Sequence, residues 1–561
     1  MNDEQLVVTS DNKKKIGFFS AILIVIGGSI GAGIFLRSKS VLENSAGNII
    51  WALLMWLIAG FAVVCMALAL VEVASGRNDN LGMIGWSKAF NGVRIYKANK
   101  FFMTYLYLPF TYFFMPYYAI VQFQDALTGF GVKDKIVKFS DSEATPWIYF
   151  ALGLVLSVWF IFSAGLSGKA ANIQNWIITS VKFIPLLAVV IIGMYYLSKN
   201  GVNQDLIKLD SNKLLTSGSS LFKLTPFFAV FGSLGGIFFA FDGFYVAAGM
   251  QTEMKNPEKT PAALAIGLMT ITGIYMLIAL SMTLGVGGTA TPGDFYGLGG
   301  FLESDNVYWI FGVINLFISI GILGILNGFS GWATRFVEDL IKEGEIVIPV
   351  KAYKYMKNAK LPLVGALFTL ILSLPYMIIF TVIGAYAYFG GNYGPYYGKR
   401  IDELLTFSDL MADWMAVFAF VFIALAIYGA IKNRKQHFIA VKENKNTLWA
   451  GWTSVIIVLL VAVMLILDKL VAVGLSLNAF SLVKDEDTKH AVMGSCIAVA
   501  LFIVYMAICF GSPALERKVA EAKEIKLQEA IRNAQGEELE NLLLAKEMND
   551  LVLKSYREAR A

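Results

Sequence analysis

Four glycines, Gly27, Gly28, Gly31 and Gly33, fall within seven residues, with Ser29, Ile30 and Ala32 between them. They sit in the middle of an apolar stretch, IGFFSAILIVIGGSIGAGIFL at 16–36, that is long enough to cross a bilayer. Each glycine costs a helix about 1 kcal/mol relative to alanine, so the run favours an unwound segment at membrane depth. Hydrocarbon cannot hydrogen-bond the freed backbone, and such a break persists only where it lines a cavity or faces protein. The chemistry on offer is non-covalent. Half-helix N-termini present N–H groups to an anion, and unwound carbonyls accept from a cation.

A second interruption lies in PFFAVFGSLGGIFFAFDGFYVAAGM at 226–250, where Asp242 and Gly243 stand among apolar residues. An ionisable group at that depth costs about 2.5–3.5 kcal/mol and must face a partner or an aqueous cavity. Gly243 lets the backbone leave helical geometry beside it. Asp242 has two readings: its carboxylate selects a cationic ligand, or it caps the break and only its carbonyl faces ligand. The capping reading is preferred. Paired interruptions at matching positions of two repeats are the best sequence pointer to a transporter's binding site. A ligand with a carboxylate and an ammonium on one carbon, an amino acid, suits both kinds of exposed backbone group. A third anomaly is Lys182, far from either end of the span 173–197 and with no acid nearby in sequence.

The elements that must position these residues are membrane spans. The chain has 561 residues, 57% hydrophobic and only 16% charged, where a soluble protein carries about a quarter charged residues. An all-α integral membrane protein is expected, with about twelve spans near 16–36, 49–74, 101–128, 146–166, 173–197, 225–252, 261–286, 307–332, 362–389, 409–431, 448–470 and 490–511. The breaks then fall in spans one and six, the spacing of a five-plus-five inverted repeat. Lys13, Lys14 and Lys15 precede the first span, and no small-residue cleavage site follows it, so a retained first helix is expected. With the N-terminus inside, Lys and Arg are more numerous on the inner segments than on the outer ones, and the outer loop 287–306 has neither. The positive-inside rule places both termini in the cytoplasm, in a cell membrane crossed many times.

Three regions follow: a cytoplasmic N-terminal segment at 1–15, a transmembrane domain at 16–512, and a charged helical tail at 513–561, broken near Gly536. The tail reads as a solvated helix pair or as a docking helix for a cytoplasmic partner. The net charge of +5 is a matter of loop distribution and signals no nucleic acid. Cys65, Cys496 and Cys509 lie in apolar spans and His437 and His490 lie far apart, so neither a metal site nor a cofactor is expected. No GxxxxGKS loop is present, and no enzymatic chemistry is implied.

At these residues the chain resembles the amino acid–polyamine–organocation transporters. GSIGAGIF at 28–35 is similar to the family's first-helix signature. FFAFDGF at 238–244, followed by Glu253 and KNPEKTPAA at 255–263, resembles its sixth-helix motif. ANIQNWIITSVKFIPL at 171–186 resembles the fifth helix, and NGFSGWATRFVEDLIKEG at 327–344 the eighth helix and its loop. The likeness covers roughly residues 15–510. It implies N–H groups of Gly31, Ala32 and Gly33 on a substrate carboxylate, with Ile30 at the same break. Carbonyls of Ser29, Phe239, Ala240 and Asp242 would take the amino group, and Phe239 and Phe241 would close over the ligand. It also implies that the Lys182 amine stands where sodium binds in sodium-driven relatives, touching helix one and a hydroxyl on helix eight, Ser319 or Ser330. The departures are RNDNLGMIGWSKAF after span two, Lys259 where arginine is common, and Tyr245 in place of a frequent glutamate. Secondary-active, sodium-independent transport of an amino acid by alternating access is therefore expected, as proton symport or exchange. A polyamine carrier, or a nutrient sensor signalling through the tail, are the alternatives.

Overall fold

The computed structural model describes residues 17–558 apart from 31–32, 46, 78–80, 140, 203–206, 208–221, 223–225, 246–253, 257–258, 287–297, 350–351, 353–354, 357–360, 390, 392 and 481–485. Gly31, Ala32, Glu253, the segment 1–15 and most of the 287–306 loop thus lie outside the described residues. Helices dominate the rest. The first expected span is two helices, α1 (Phe18–Ser29) and α2 (Gly33–Asn44). Next come α3 (Ile49–Gly76), the short α4 (Met83–Phe90) and α5 (Val93–Phe102). A π-turn at Met103–Tyr107 leads into α6 (Leu108–Gly129). The chain continues through α7 (Thr145–Ser163), α8 (Gly168–Asn200), α9 (Pro226–Phe241), α10 (Thr260–Val286) and α11 (Trp309–Lys342). It ends in α12 (Leu363–Val382), α13 (Ile401–Gln436), α14 (Thr447–Phe480), α15 (Glu486–Met506), α16 (Ser512–Asn533) and α17 (Gly536–Glu558).

Among the described residues nine helices are long and apolar enough to cross a membrane, and Phe18–Gly27 and Phe228–Phe241 are shorter apolar helices. The short pair are arms of the two interrupted spans. The third expected span, 101–128, is not among the nine. Its helix α6 carries Tyr112, Tyr117, Tyr118, Gln122, Gln124 and Asp125, all buried. It runs through the middle of the bundle against α11 and α12, where protein rather than lipid surrounds those polar groups. The outside of the bundle is the reverse. On α8, Trp176 is 77% exposed and Ile177, Leu187 and Ile191 are similarly bare. Apolar surface of that extent facing water would be an aggregation hazard, and facing lipid it is solvated.

Candidate functional site

The first break is held by packing on one side and by a cation on the other. Ser29 ends α1, and Ile30 is extended, with φ −71° and ψ 110°. The helix restarts at Gly33, where an added Cβ would lie 2.3 Å from the Ala240 Cα. That close approach is why residue 33 has no side chain, and it brings the interrupted first helix against the end of α9. The carbonyls left unpaired at the end of α1 are met by Lys182 of α8. Its ammonium donates to the Gly27 carbonyl and, at 3.4 Å, to that of Ile30. A cation at a helix C-terminus is favoured by the partial negative charge there. Lys182 lies beside Gly321 of α11, whose Cβ would be 3.6 Å from the lysine Cβ. A cavity of about 10 Å³, bounded in part by Ile30, Lys182 and Gly321, leaves room there for about one water.

The second break is built around Asp242. Gly243 has φ +94°, in the left-handed region that glycine enters without steric cost. The Gly243 N–H donates to Asp242 Oδ1 at 2.9 Å, and Tyr107 Oη donates to Oδ2 at 2.6 Å. Tyr245 in turn donates to the Tyr107 hydroxyl at 3.2 Å. Both carboxylate oxygens are therefore occupied by protein. Tyr107 ends the π-turn of the third span, and π-turns inside helices recur at functional sites.

The expected ligand contacts are distributed unevenly. The Ala240 carbonyl accepts from Tyr275 Oη at 3.1 Å, and the Phe239 carbonyl accepts from the Asp242 N–H at 3.2 Å. Phe239 and Phe241 do not share a face, because residues two apart on a helix point about 200° apart. Phe239 packs edge-on to Phe114, with ring centroids 6.0 Å apart. Phe241 is buried against Tyr275 at 5.4 Å, turned toward α10. The two serines also sit elsewhere than expected. Ser319 Oγ donates to the Ala119 carbonyl at 2.8 Å, and Ser330 Oγ pairs with Tyr112 Oη at 2.9 Å. Both thus fasten α11 to α6, and Phe317, Ile318 and Gly321 are the α11 residues that share the small cavity with Lys182.

One cluster went unread in the sequence. Arg37, one turn into α2 and only 2% exposed, pairs with Asp409 and, at 2.9 Å, with Asp413 of α13. Tyr118 Oη and Tyr393 Oη both donate to Asp409, at 2.7 Å and at 3.0 Å or 3.1 Å to its two oxygens. The guanidinium carbon lies 4.9 Å from the Phe239 ring centroid, a cation–π contact. Arg37 ties the second arm of helix one to α13 directly above Phe239. The signal was present: two acids four residues apart in an otherwise apolar span lie on one helix face and require a partner.

Comparison with known proteins places this geometry in context. A model of the family described as amino acid permease matches residues 16–502. The chain is 41% identical over 510 residues to an uncharacterized protein of Mycoplasma pneumoniae, covering 86% of this chain and 88% of that one. It is 26% identical over 344 residues to the serine/threonine exchanger SteT of Bacillus subtilis, covering 57% and 67%. To the b(0,+)-type amino acid transporter 1 of Mus musculus it is 23% identical over 417 residues, covering 72% and 78%. Among solved structures, a manganese transporter of Eremococcus coleocola aligns with a TM-score of 0.50 at 13% identity, over 88% of this chain and 93% of that one. At that identity the likeness concerns the fold alone.

Proposed function

The chain belongs to the amino acid permease family, and from that premise we propose that it exchanges α-amino acids across the cell membrane by alternating access, without sodium. The observation that carries the reading is the Lys182 ammonium on the carbonyls of Gly27 and Ile30. The ammonium supplied by α8 fills the place where a coupling ion would otherwise neutralise the end of α1. The carboxylate of the substrate is assigned to the N–H groups of Gly31, Ala32 and Gly33, with its amino group toward Ser29, Ile30 and the carbonyls of 239–242. Exchange is preferred to proton symport because two carbonyls hold the amine as a donor, and because one relative is described as a serine/threonine exchanger. Engagement of both Asp242 oxygens within the protein weighs against a polyamine carrier, which would need a free carboxylate. Both termini are assigned to the cytoplasm from the distribution of lysine and arginine among the loops.

The test is uptake into liposomes with a sodium gradient, a proton gradient or internal amino acid imposed one at a time. Exchange predicts uptake driven by internal amino acid alone. Lys182→Ala leaves two helix-end carbonyls without a donor and should abolish uptake while the protein still folds. Strict sodium dependence of the wild type would overturn the role of Lys182, and uptake driven only by a proton gradient would replace exchange with symport.

A further inference from the structure

A cavity of about 420 Å³ opens where α16 leaves the membrane, within the range of about 300–1,000 Å³ typical of ligand sites. Its apolar end comes from membrane-spanning segments: Phe101 and Tyr105 of the third span, Tyr376 of α12 and Ile508. Its polar end comes from the tail, through Lys523 of α16 and Asn549 of α17. The helix that forms one wall shows where the hydrocarbon stops. A π-turn at Ala507–Gly511 carries α15 into α16. Leu515 and Val519 there are 64% and 57% exposed, continuing the face of Ile508 at helical spacing. Beyond Val519 the same side carries Lys523 and Lys526. Apolar residues giving way to lysine on one exposed face mark the level of the headgroups.

The polar end has unmet bonding capacity. Lys523 is half-buried, and burial draws its ammonium below the usual lysine value. Among the described residues no carboxylate lies within ion-pair distance of it. Among the described residues the one acid on the cavity wall, Glu516, is already paired with Lys100 at 2.6 and 2.7 Å and accepts from Tyr556 Oη at 2.5 Å. Asn549 is 2% exposed. Its amide nitrogen donates to the Ala520 carbonyl at 3.0 Å and to Glu524 at 3.2 Å. Its buried carbonyl oxygen has no donor among the described residues. A matching ligand has an anion for Lys523, a hydroxyl for Asn549 and a hydrocarbon part for the aromatic end. We propose that this cavity binds an anionic phospholipid with a hydroxylated headgroup from the adjoining leaflet, its phosphate on Lys523. Basic pockets between spans on the cytoplasmic side are a known setting for such headgroups.

The experiment is native mass spectrometry of the purified full chain, with phosphatidylglycerol and phosphatidylcholine offered in equal amounts. The wild type should retain phosphatidylglycerol in preference. Lys523→Glu should lower that preference roughly tenfold, the loss expected for one charge-assisted contact. Lys526→Glu, the same charge change at an exposed neighbour, should leave it near the wild-type value. Circular dichroism and the unfolding midpoint of both variants confirm that the helix is intact. Equal retention of the two lipids, equal effects of the two substitutions, or displacement by millimolar glycerol 3-phosphate would each overturn the proposal. The last outcome would assign the site to a soluble anion.

Discussion

Asp242 shows how one buried carboxylate can serve architecture rather than ligand choice. One oxygen closes the turn onto the Gly243 N–H and the other receives Tyr107 from the π-turn of the third span. Asp242→Asn keeps an acceptor for the glycine and a polar group beside Tyr107. It should bind neutral amino acids within a few-fold of wild type. Asp242→Ala leaves a hydroxyl and an N–H unsatisfied, at about 1–3 kcal/mol each, and should lose both stability and uptake. Thermal-shift titrations with neutral and cationic amino acids check this. If the asparagine variant loses arginine or lysine binding alone, the side chain selects cations after all. Gly33 is a poorer probe of the same region. A side chain there meets the Ala240 backbone at 2.3 Å, so its effect reports helix packing before it reports ligand.

At the scale of elements, the two interrupted helices depend on a lock that neither contains alone. Gly33 sets α2 against α9, and Arg37 then fastens α2 to α13 through Asp409 and Asp413. Removing one member of a buried ion pair costs about 3–5 kcal/mol, because the other charge is stranded. Arg37→Met should therefore lower the unfolding midpoint sharply and reduce uptake. Arg37→Met with Asp409→Asn should cost less than the sum of the single changes, since the two residues touch. Additive effects in that cycle would mean that the ion pair carries no coupling. Both breaks were legible in sequence because glycine and an intramembrane acid are conspicuous among apolar residues. So was Lys182, for the same reason. The Arg37 cluster was hidden by distance, since its members lie 372 residues apart along the chain and no local pattern joins them. The π-turn at Met103–Tyr107 was hidden for a different reason: it is a one-residue change in hydrogen-bond register that composition does not record. The places of Ser319 and Ser330 were missed because a helix position fixes a face but not the partner that reaches it.

For the whole molecule, the question is what the tail helices do for the bundle. Lys97 of α5 is fully buried, 2.7 Å from Glu345 and 2.6 Å from the Ser555 hydroxyl of α17. The ring of Tyr556 lies over the same ammonium at 4.3 Å. Burial pushes the Glu345 carboxyl up and draws the Lys97 ammonium down, so each charge depends on the other and on the donors and acceptors around them. Among the described residues the hydrogen bonds of α17 in this cluster fall on α5 and α16, away from the breaks of α1, α2 and α9 that hold the candidate site. A chain ending after Asn533 keeps the Lys100–Glu516 pair and loses Ser555 and Tyr556. Its stability should fall by at least about 1.5–3 kcal/mol, the worth of one hydrogen bond to a charged group, because the Asn549 bonds to α16 and the burial of Val552 and Leu553 are lost as well. Exchange into liposomes should persist, because the helices that must move relative to one another are intact. Unfolding midpoints and uptake rates of the two chains, measured in the same lipid, check both halves. Full loss of uptake from a chain that remains folded would place α17 within the transport cycle and would revive the reading of the tail as a signalling element.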